Sequence, residues 1–277
     1  MPTKEDRMAK TAKSILWSGS DAYEAYMGRW SRPMARSFVA WFGAPAALRW
    51  LDVGCGTGAL ASAALDQAQP REVVGIDPSA DFIGSAAGAI ADPRAHFTVG
   101  DARSLPFTMG EFEAVVSGLV LNHIAEPEPA TAEMARVTRA GGVVGSYVWD
   151  YSGEMQLIRF FWEAATTADA DAAHYDPRGR YRICTPNPLA ALFREAGLRD
   201  VAVEAIDLPL AFRDFEDYWR PHTMAGPAAP QRYVATLDDD RKASLRKQLR
   251  ATLPIAADGT ITLLGRAWAV RAIKPPE

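Results

Sequence analysis

The stretch Leu51-Asp52-Val53-Gly54-Cys55-Gly56-Thr57-Gly58 decides the fold of this 277-residue chain. Its apolar start breaks into three glycines spaced two apart, and an alanine-rich helical pattern follows over 59–68. Strand, glycine turn and helix together present backbone N–H groups to an anionic or strongly polar ligand. Because Gly54, Gly56 and Ala59 also satisfy the dinucleotide fingerprint, the stretch indicates a nucleoside cofactor and leaves its identity open.

The composition favours one α/β domain and limits the kinds of partner that we expect. The chain is 48% hydrophobic with a net charge of −4, and it has no basic stripe, so we expect no nucleic-acid partner. Cys55 and Cys184 lie far apart in sequence, and we predict neither a disulfide nor a metal site. Because there is no secretory segment and no apolar run of about 18 residues, the sequence predicts no membrane span and a cytoplasmic location.

The placement of the lysines argues against two other chemistries. After Lys13 the next lysine is Lys242, so no lysine can lie in a Walker-type phosphate loop or form a Schiff base in the body of the fold. The sequence also has no Tyr-x-x-x-Lys pair, which disfavours a short-chain dehydrogenase.

Hydrophobic periodicity predicts alternating strands and helices in the first half of the chain. Residues 1–20 are polar and without period, so we expect a flexible tail followed by a single domain over 21–277. A helix is predicted from Pro33 to Phe42, since proline suits a first helical turn. Strands are predicted over 49–53, 71–77, 95–100, 112–120 and 143–149, and helices over 59–68, 78–91 and 127–139, the last capped by Gly141 and Gly142. Four strand–helix alternations imply right-handed crossovers and a parallel sheet.

The second half predicts helices and two further strands, with two insertions. Helices are expected over 154–168, 186–196 and 239–252, a loop over 169–185, and strands over 201–210 and 260–273. Because no crossover helix joins the last two strands, they should pair antiparallel at the sheet edge. The predicted fold is therefore α/β: a Rossmann-like, doubly wound, mostly parallel sheet of seven strands, the last antiparallel. The insertions over 150–185 and 210–258 would form a helical lid for the substrate.

Three further motifs follow the glycine loop in register. Asp77 ends the second strand 19 residues after Gly58, the distance at which a doubly wound fold places an acid on ribose hydroxyls. The others are Gly100-Asp101-Ala102-Arg103-Ser104-Leu105-Pro106-Phe107 and Arg136-Val137-Thr138-Arg139-Ala140-Gly141-Gly142. In order and spacing the set resembles class I S-adenosylmethionine-dependent methyltransferases, with most likeness to the small-molecule branch of ubiquinone and menaquinone biosynthesis methylases. The resemblance is strong over 45–150 and implies S-adenosylmethionine as cofactor and a small molecule as methyl acceptor.

The resemblance implies a role for each residue of the loop. The backbone of Gly54, Gly56 and Thr57 would cradle the methionine part of the cofactor, and Gly58 would let the following helix pack closely. Asp77 would bind the ribose hydroxyls.

Five further cofactor contacts follow from the same resemblance. Asp101 would receive the adenine amino group, with the Ala102 N–H at a ring nitrogen, and only an acceptor can pair with an exocyclic amine. Ser117 would lie against the cofactor near the end of the fourth strand. Arg29 would pair with the cofactor carboxylate, and Tyr26 would cover it.

His123 is the candidate catalytic base, because it follows the fourth strand beside the expected position of the transferable methyl. His222, in the second insertion, is another candidate for this role. A histidine that holds the loop by a hydrogen bond, or that lines the pocket without taking a proton, explains the same pattern. Where related sequences often have His-His or Leu-His, this chain has Asn122-His123, which leaves the acceptor contacts open.

Aromatic residues concentrate in the insertions and just before them. They are Trp149, Tyr151, Phe160, Trp162, Tyr175, Tyr218 and Trp219. Helically spaced aromatics usually belong to a core, but this concentration suggests an apolar chamber for the acceptor. The run Asp238-Asp239-Asp240 is typical of a helix start.

The predicted reaction is methyl transfer by in-line displacement from a sulfonium to an O, N or C nucleophile of a small molecule. The protein mainly has to align the two reacting atoms and keep water out. Two alternatives stay open from the residues alone: a regulatory protein that binds S-adenosylmethionine without chemistry, and an NAD-type dehydrogenase. The Asp101 motif and the missing Tyr/Lys pair disfavour the dehydrogenase.

Overall fold

The computed structural model describes residues 27–226 and 228–276. The predicted tail over 1–20, and Tyr26, lie outside the described residues. The strands are β1 (Arg49–Val53), β2 (Glu72–Asp77), β3 (Ala95–Val99), β4 (Phe112–Gly118), β5 (Thr138–Trp149), β6 (Arg199–Phe212) and β7 (Ile261–Ile273). The α-helices are α1 (Arg29–Phe42), α2 (Ala59–Gln67), α3 (Ala80–Ala89), α4 (Pro127–Val137), α5 (Gln156–Ala168), α6 (Pro186–Glu195), α7 (Phe215–Thr223), α8 (Ala229–Val234) and α9 (Asp239–Thr252).

The described strands form one seven-stranded sheet in the order β3-β2-β1-β4-β5-β7-β6. Strands β1 to β5 are parallel, and β7 runs antiparallel to both β5 and β6. The predicted fold class is confirmed. The strand order reverses between β1 and β4, and this switch point is where open α/β sheets bind their ligands.

The sheet carries a hydrophobic core on each face, which explains the sequence of its central strands. In β4 every residue from Phe112 to Ser117 is buried, as expected for a parallel strand covered on both sides. One core contains Phe38 and Phe42 of α1, and the other contains Met134 of α4 and Phe193 of α6.

Helix α1 begins at Arg29, one turn before the predicted start at Pro33. The proline lies inside the helix, where it lacks the N–H that would bond to the carbonyl four residues earlier. Trp30, Met34 and Phe38 are all buried, and their spacing places them on one face of the helix. Burial of this face outweighs the local preference of proline for a first turn.

The predicted glycine cap of the helix over 127–139 is wrong. Helix α4 ends at Val137, and Thr138 already belongs to β5 while its Oγ1 donates to the Met134 carbonyl at 2.7 Å. Gly141 lies within β5 at φ +74°, and its N–H donates to the Lys274 carbonyl at 2.9 Å. Gly141 is therefore a residue of β5 and not a helix cap, and it lies next to the register shift between β4 and β5. The predicted loop over 169–185 contains 3₁₀ turns at Ala170–His174 and Arg178–Arg180.

The aromatic residues of the insertion helices pack in the same hydrophobic core as Phe38 and Phe42 of α1, and we call their part of it the insertion core. Trp162, Tyr218 and Trp219 are buried, and Phe160 and Tyr175 pack against the same cluster. All seven aromatics expected to line an acceptor chamber lie in or against this core, because Trp149 is also buried there and Tyr151 packs against it. Their helical spacing already indicated this packing, since aromatics bury large areas and dominate core energetics.

No helix of the described ranges combines the length and apolar character that crossing a bilayer requires.

Candidate active site

A cavity of about 570 Å³ opens beyond the carboxyl ends of the parallel strands. It is lined by the loops that follow β1, β2, β3 and β4, by the end of β5, and by Met27 and Ser31 near the start of α1. Ligand pockets of enzymes commonly have volumes of about 300–1,000 Å³. Four of these six segments are short loops whose positions are fixed by strands in one sheet.

The glycine loop after β1 is held by main-chain hydrogen bonds to β2. The N–H groups of Gly54 and Cys55 both donate to the Ile76 carbonyl, at 2.7 and 3.0 Å. Gly56 has φ +53°, and a side chain added there would meet no atom within 4 Å. Gly56 also lines the cavity, so this glycine leaves a ligand free access to the backbone. At Gly54 (φ +74°) a Cβ would lie 2.5 Å from the side chain of Val120.

Asp77 lies at the end of β2 against the glycine loop. It is 8% exposed and lines the cavity, and its two oxygens accept from the N–H groups of Gly56 at 3.1 Å and Ser79 at 2.9 Å. Burial raises the pKa of the Asp77 carboxyl. Each oxygen keeps a further lone pair, so the carboxylate is held in place and can still accept from a ligand.

Asp52 is a site residue that the sequence analysis did not single out. It is 1% exposed and lines the cavity beside the glycine loop, yet neither carboxylate oxygen makes a hydrogen bond within the described chain. Burial raises the pKa of Asp52 to about 7 and the charge of Asp77 adds to the rise, whereas the backbone N–H of Ala61 opposes it without forming a hydrogen bond of normal geometry. A buried carboxyl without a partner is costly. The signal in the sequence was an acid inside an otherwise apolar strand.

Asp101 and Ala102 line the cavity after β3. Arg103 donates to the Asp101 carboxylate from Nε at 3.0 Å and Nη2 at 2.6 Å, and also from its backbone N–H at 2.9 Å. These bonds lower the pKa of Asp101. The carboxylate is therefore an ionised acceptor whose orientation is fixed by Arg103.

Three of the predicted cofactor contacts do not line this cavity, namely Ser117, Gly58 and Arg29. Ser117 is fully buried, and its Oγ donates to the Val53 carbonyl at 2.8 Å, which ties β4 to β1. Gly58 packs against α3, where a Cβ would lie 2.7 Å from Ile90. Tyr26, which was also predicted to contact the cofactor, lies outside the described residues.

Arg29 points away from the cavity toward the second insertion. Its guanidinium donates to Asp217 at 3.1 Å and to the Ala211 carbonyl at 2.8 Å. It also lies 4.4 Å from the ring centre of Trp30. These contacts hold α1, in which Ser31 lines the cavity, against the end of β6 and the start of α7.

His123 lines the cavity after β4, at the end of a 3₁₀ turn over Leu121–His123. Its Nδ1 is buried and makes no hydrogen bond within the described residues. Burial lowers the pKa of His123 to about 4, so the imidazole is neutral at pH 7. Leu119, just before the turn, has φ +61°, a conformation that costs energy outside glycine and clusters at functional sites.

Asn122 and His222 are placed differently from His123. Asn122 is buried without lining the cavity, and neither of its amide atoms makes a hydrogen bond within the described chain. His222 is fully buried in the insertion core, stacked on Phe161 at 4.7 Å, with Nδ1 3.0 Å from the Tyr218 carbonyl. The structure therefore does not bring His222 to the cavity.

An aromatic wall closes the side of the cavity next to His123. Tyr147 and Trp149 are buried in β5, and Tyr151 follows the strand; all three line the cavity. The ring of Tyr181 packs on Tyr151 at 4.6 Å and meets the His123 ring edge-on at 5.9 Å. The aromatic residues that line the cavity therefore come from the end of β5 and from the segment that follows it.

The run Asp238-Asp239-Asp240 begins α9 as predicted, because the Asp238 side chain accepts from the Arg241 N–H at 2.8 Å. Among the described residues, no three potential metal ligands come together.

Comparison with known proteins agrees with this geometry. The methyltransferase domain family matches residues 51–145. The demethylmenaquinone methyltransferase of Roseiflexus castenholzii is 31% identical over 186 residues, which is 62% of this chain and 77% of that protein. The 2-phytyl-1,4-naphtoquinone methyltransferase of a Synechocystis strain is 35% identical over 127 residues, 44% of this chain and 53% of that protein.

Solved structures share the fold at low sequence identity. The YcgJ protein of Bacillus subtilis is 19% identical, with a TM-score of 0.58 over 88% of this chain and 100% of that one. A phosphoethanolamine N-methyltransferase of Haemonchus contortus, solved with phosphomonomethylethanolamine and S-adenosylhomocysteine, is 18% identical. Its TM-score is 0.58, covering 99% of this chain and 61% of that one.

A cavity at the switch point, lined by a glycine loop and by acids after successive strands, defines a nucleoside-cofactor enzyme of the doubly wound class. The chain belongs to the S-adenosylmethionine-dependent methyltransferases, and the family and enzyme class expected from the sequence are confirmed.

Proposed function

We propose that this protein transfers the methyl group of S-adenosylmethionine to a nucleophilic atom of a small molecule bound at the His123 end of the cavity. The observation that carries the proposal is Asp52, a buried carboxyl that lines the cavity, forms no hydrogen bond of normal geometry in the described chain and has only the backbone N–H of Ala61 acting on it as a donor. Such a group calls for a cationic ligand. The methionine part of the cofactor carries an ammonium group of the required charge.

The residues around Asp52 fit the rest of the cofactor. The open side of Gly56 allows the methionine part to approach the loop backbone. Asp77 has lone pairs for the two ribose hydroxyls, and Asp101, fixed by Arg103, can accept the adenine amino group. Thr57 and Ala102 contribute main-chain groups next to these acids. Neither Arg29 nor Ser117 belongs to the proposed binding set, since both are engaged elsewhere.

The bound cofactor supplies an activated methyl group on a sulfonium, whose sulfide is a good leaving group. The protein then has to hold the acceptor in line and to exclude water. The neutral His123 imidazole can accept a proton when the acceptor nucleophile carries one, with Nδ1 or Nε2 as the accepting atom. A nucleophile without a proton at neutral pH leaves His123 the role of positioning the acceptor.

The insertions over 150–185 and 210–258 serve as the lid in this proposal. Two observations support this role: Tyr151 and Tyr181 form part of the aromatic wall, and Arg29 ties the cavity-lining start of α1 to Asp217 of α7. Lids of this kind sequester the reaction from water. We place the enzyme in the cytoplasm, which the free thiols of Cys55 and Cys184 support.

Incubation with S-adenosylmethionine carrying a labelled methyl, together with a panel of phenols, amines and activated carbon acids, tests the proposal. Transfer of label to an acceptor, with formation of S-adenosylhomocysteine, is the expected result. Tight binding of the cofactor without transfer of the labelled methyl to any class of acceptor would instead favour a regulatory protein.

A further inference from the structure

Tyr147 lies on the same face of the sheet as Asp52, with one strand between them. Asp52 of β1 pairs with Val116 of β4, and Gly118, two residues further along β4, pairs with Tyr147 of β5. Paired residues of neighbouring strands, and residues two apart within one strand, point to the same face. Val116 and Tyr147 accordingly belong to one hydrophobic core, on the side of the sheet that α1 covers. Since Asp52 and Tyr147 both line the cavity, they reach it from one side of the sheet.

Gly118 lets the hydroxyl of Tyr147 lie over the strand between them. Gly118 lines the cavity, and a Cβ added to it would lie 2.5 Å from the Tyr147 Oη and 2.7 Å from its Cζ. Only a residue without a side chain leaves room for the phenol at this position. The ring also packs on Phe38 of α1, with 4.7 Å between the ring centres. The Tyr147 side chain thus extends from β5 over β4, and its hydroxyl end lies one strand away from β1, which carries Asp52.

The site proposed for the methyl donor has an acid for the ammonium group of the cofactor but no free cation for its carboxylate. Among the described residues that line the cavity, Arg103 is the only lysine or arginine, and it holds Asp101 after β3. Arg29, which the sequence resemblance placed at the carboxylate, is bound to Asp217. Several N–H groups of the glycine loop already donate within the chain, namely those of Gly54, Cys55, Gly56 and Gly58. The carboxylate therefore needs a donor from another part of the cavity.

Two other hydroxyl groups that line the cavity are placed differently from that of Tyr147. The Ser31 hydroxyl donates to the Gly28 carbonyl at 3.1 Å. Tyr151 lies beyond the end of β5, with its ring on Tyr181 at 4.6 Å. The phenol of Tyr147 is the hydroxyl that the sheet itself holds on the face of Asp52.

We propose that the Tyr147 hydroxyl donates a hydrogen bond to the carboxylate in the methionine part of the cofactor, while Asp52 meets the ammonium group. These two groups are attached to one carbon atom, so their partners must lie close together, as the spacing of about 4.8 Å between neighbouring strands allows. A phenol can donate to one group and accept from another at the same time, and hydrogen bonds to an ionised acceptor are among the strong ones. The inference rests on the proposed function, because it names a further residue of the same donor site.

Calorimetric titration of Tyr147→Phe at pH 8 with three ligands tests the inference. S-adenosylhomocysteine has both charged groups, S-adenosyl-3-thiopropylamine has the ammonium group without the carboxylate, and 5′-methylthioadenosine has neither. The substitution removes one oxygen and keeps the ring that packs on Phe38. Tyr175→Phe is the matched control, because Tyr175 packs on Tyr233 in the insertion core and does not line the cavity.

Tyr147→Phe should weaken S-adenosylhomocysteine about tenfold. It should leave S-adenosyl-3-thiopropylamine and 5′-methylthioadenosine at their wild-type affinities, since neither has a carboxylate. Asp52→Asn should instead weaken both ligands that carry the ammonium group and spare 5′-methylthioadenosine. Tyr175→Phe should change no affinity.

Two results would overturn the inference: an unchanged affinity of Tyr147→Phe for S-adenosylhomocysteine, or an equal loss for S-adenosyl-3-thiopropylamine. The binding of S-adenosylhomocysteine to the wild-type protein reports on the proposed function separately. Its failure to bind would reject the donor site itself, whereas normal binding that is indifferent to Tyr147→Phe rejects only the assignment of Tyr147.

Discussion

The end of the cavity proposed to hold the methyl donor and the end proposed to hold the acceptor, here called the donor end and the acceptor end, are built in different ways. At the donor end, Asp52 lies in β1, Asp77 ends β2 and Asp101 follows β3, so neighbouring strands of one sheet position the acids. At the acceptor end, His123, Tyr151 and Tyr181 come from three separate segments and meet only through packing of their rings. The first end depends on sheet geometry and the second on the insertions.

The difference has a functional consequence. A donor site built on strand ends and main-chain groups is specific for one cofactor and tolerates little change. An acceptor site built from side chains of inserted segments can vary while the sheet and the donor site stay the same. Substitutions at the two ends should therefore separate into effects on cofactor binding and effects on turnover.

The largest expected effect is on stability, from Asp52→Asn. The pKa of Asp52 is about 7 in the folded protein against 3.8 for the ordinary carboxyl. Because the unfolded chain releases this proton first, the wild-type protein loses stability as the pH rises from about 4 to 7, by up to about 4 kcal/mol. The asparagine variant has no such proton, so it should be the more stable protein at pH 8 and no more stable at pH 4.

Urea unfolding of both proteins at the two pH values checks this, with Asp66→Asn on the exposed face of α2 as the control. A stability gap that is the same at pH 4 and pH 8 would contradict a raised Asp52 pKa. The same substitution should weaken S-adenosylmethionine, since it removes the charge proposed to meet the ammonium group.

The second effect is on cofactor affinity, from Asp77→Ala. Loss of two charge-assisted hydrogen bonds to the ribose should weaken S-adenosylhomocysteine about 100-fold, measured by calorimetry. Asp66→Ala should leave the affinity unchanged. Because Asp77 also accepts from Gly56 and Ser79, thermal unfolding must show that the variant is folded. A folded variant with wild-type affinity would remove Asp77 from the site.

The third effect is on turnover, from His123→Gln. With an acceptor whose nucleophile carries a proton, the rate should fall about 100-fold while cofactor affinity stays the same. Since the His123 pKa is lowered to about 4, ionisation of this group should not change the wild-type rate between pH 6 and 8. Turnover that survives the substitution would leave His123 a lining residue only.

The smallest effect is expected from Arg29→Gln, and it decides between two partners of this residue. The ion pair with Asp217 is partly exposed, so a double-mutant cycle with Asp217→Asn should give a coupling of about 1 kcal/mol or less. Cofactor affinity should be unchanged in both single variants. A tenfold loss of S-adenosylmethionine affinity in Arg29→Gln alone would place Arg29 at the cofactor carboxylate, as the sequence resemblance implied.

The contrast between the two ends also explains what the sequence could predict. The glycine loop, Asp77 and Asp101 lie where local patterns end strands, and parallel strands bring their ends together whatever the rest of the chain does. Asp52 was missed because nothing local distinguishes an orphan buried acid from one paired within the core. Its missing partner is visible only once its neighbours are placed.

The acceptor end could be predicted only in part. The sequence identified Tyr151 within a set of aromatics, yet Trp162 and Tyr218 of the same set pack in the insertion core. Composition reports how many rings a segment has but not which face of a helix is covered. Arg29 shows the same limit, since its partner Asp217 lies 188 positions away along the chain and no local pattern links them.

The most direct test of the donor end is a calorimetric titration of the wild-type protein with S-adenosylhomocysteine and, separately, with NAD. We predict binding of one S-adenosylhomocysteine per chain and no heat from NAD. Binding of NAD without any response to S-adenosylhomocysteine or S-adenosylmethionine would contradict the account.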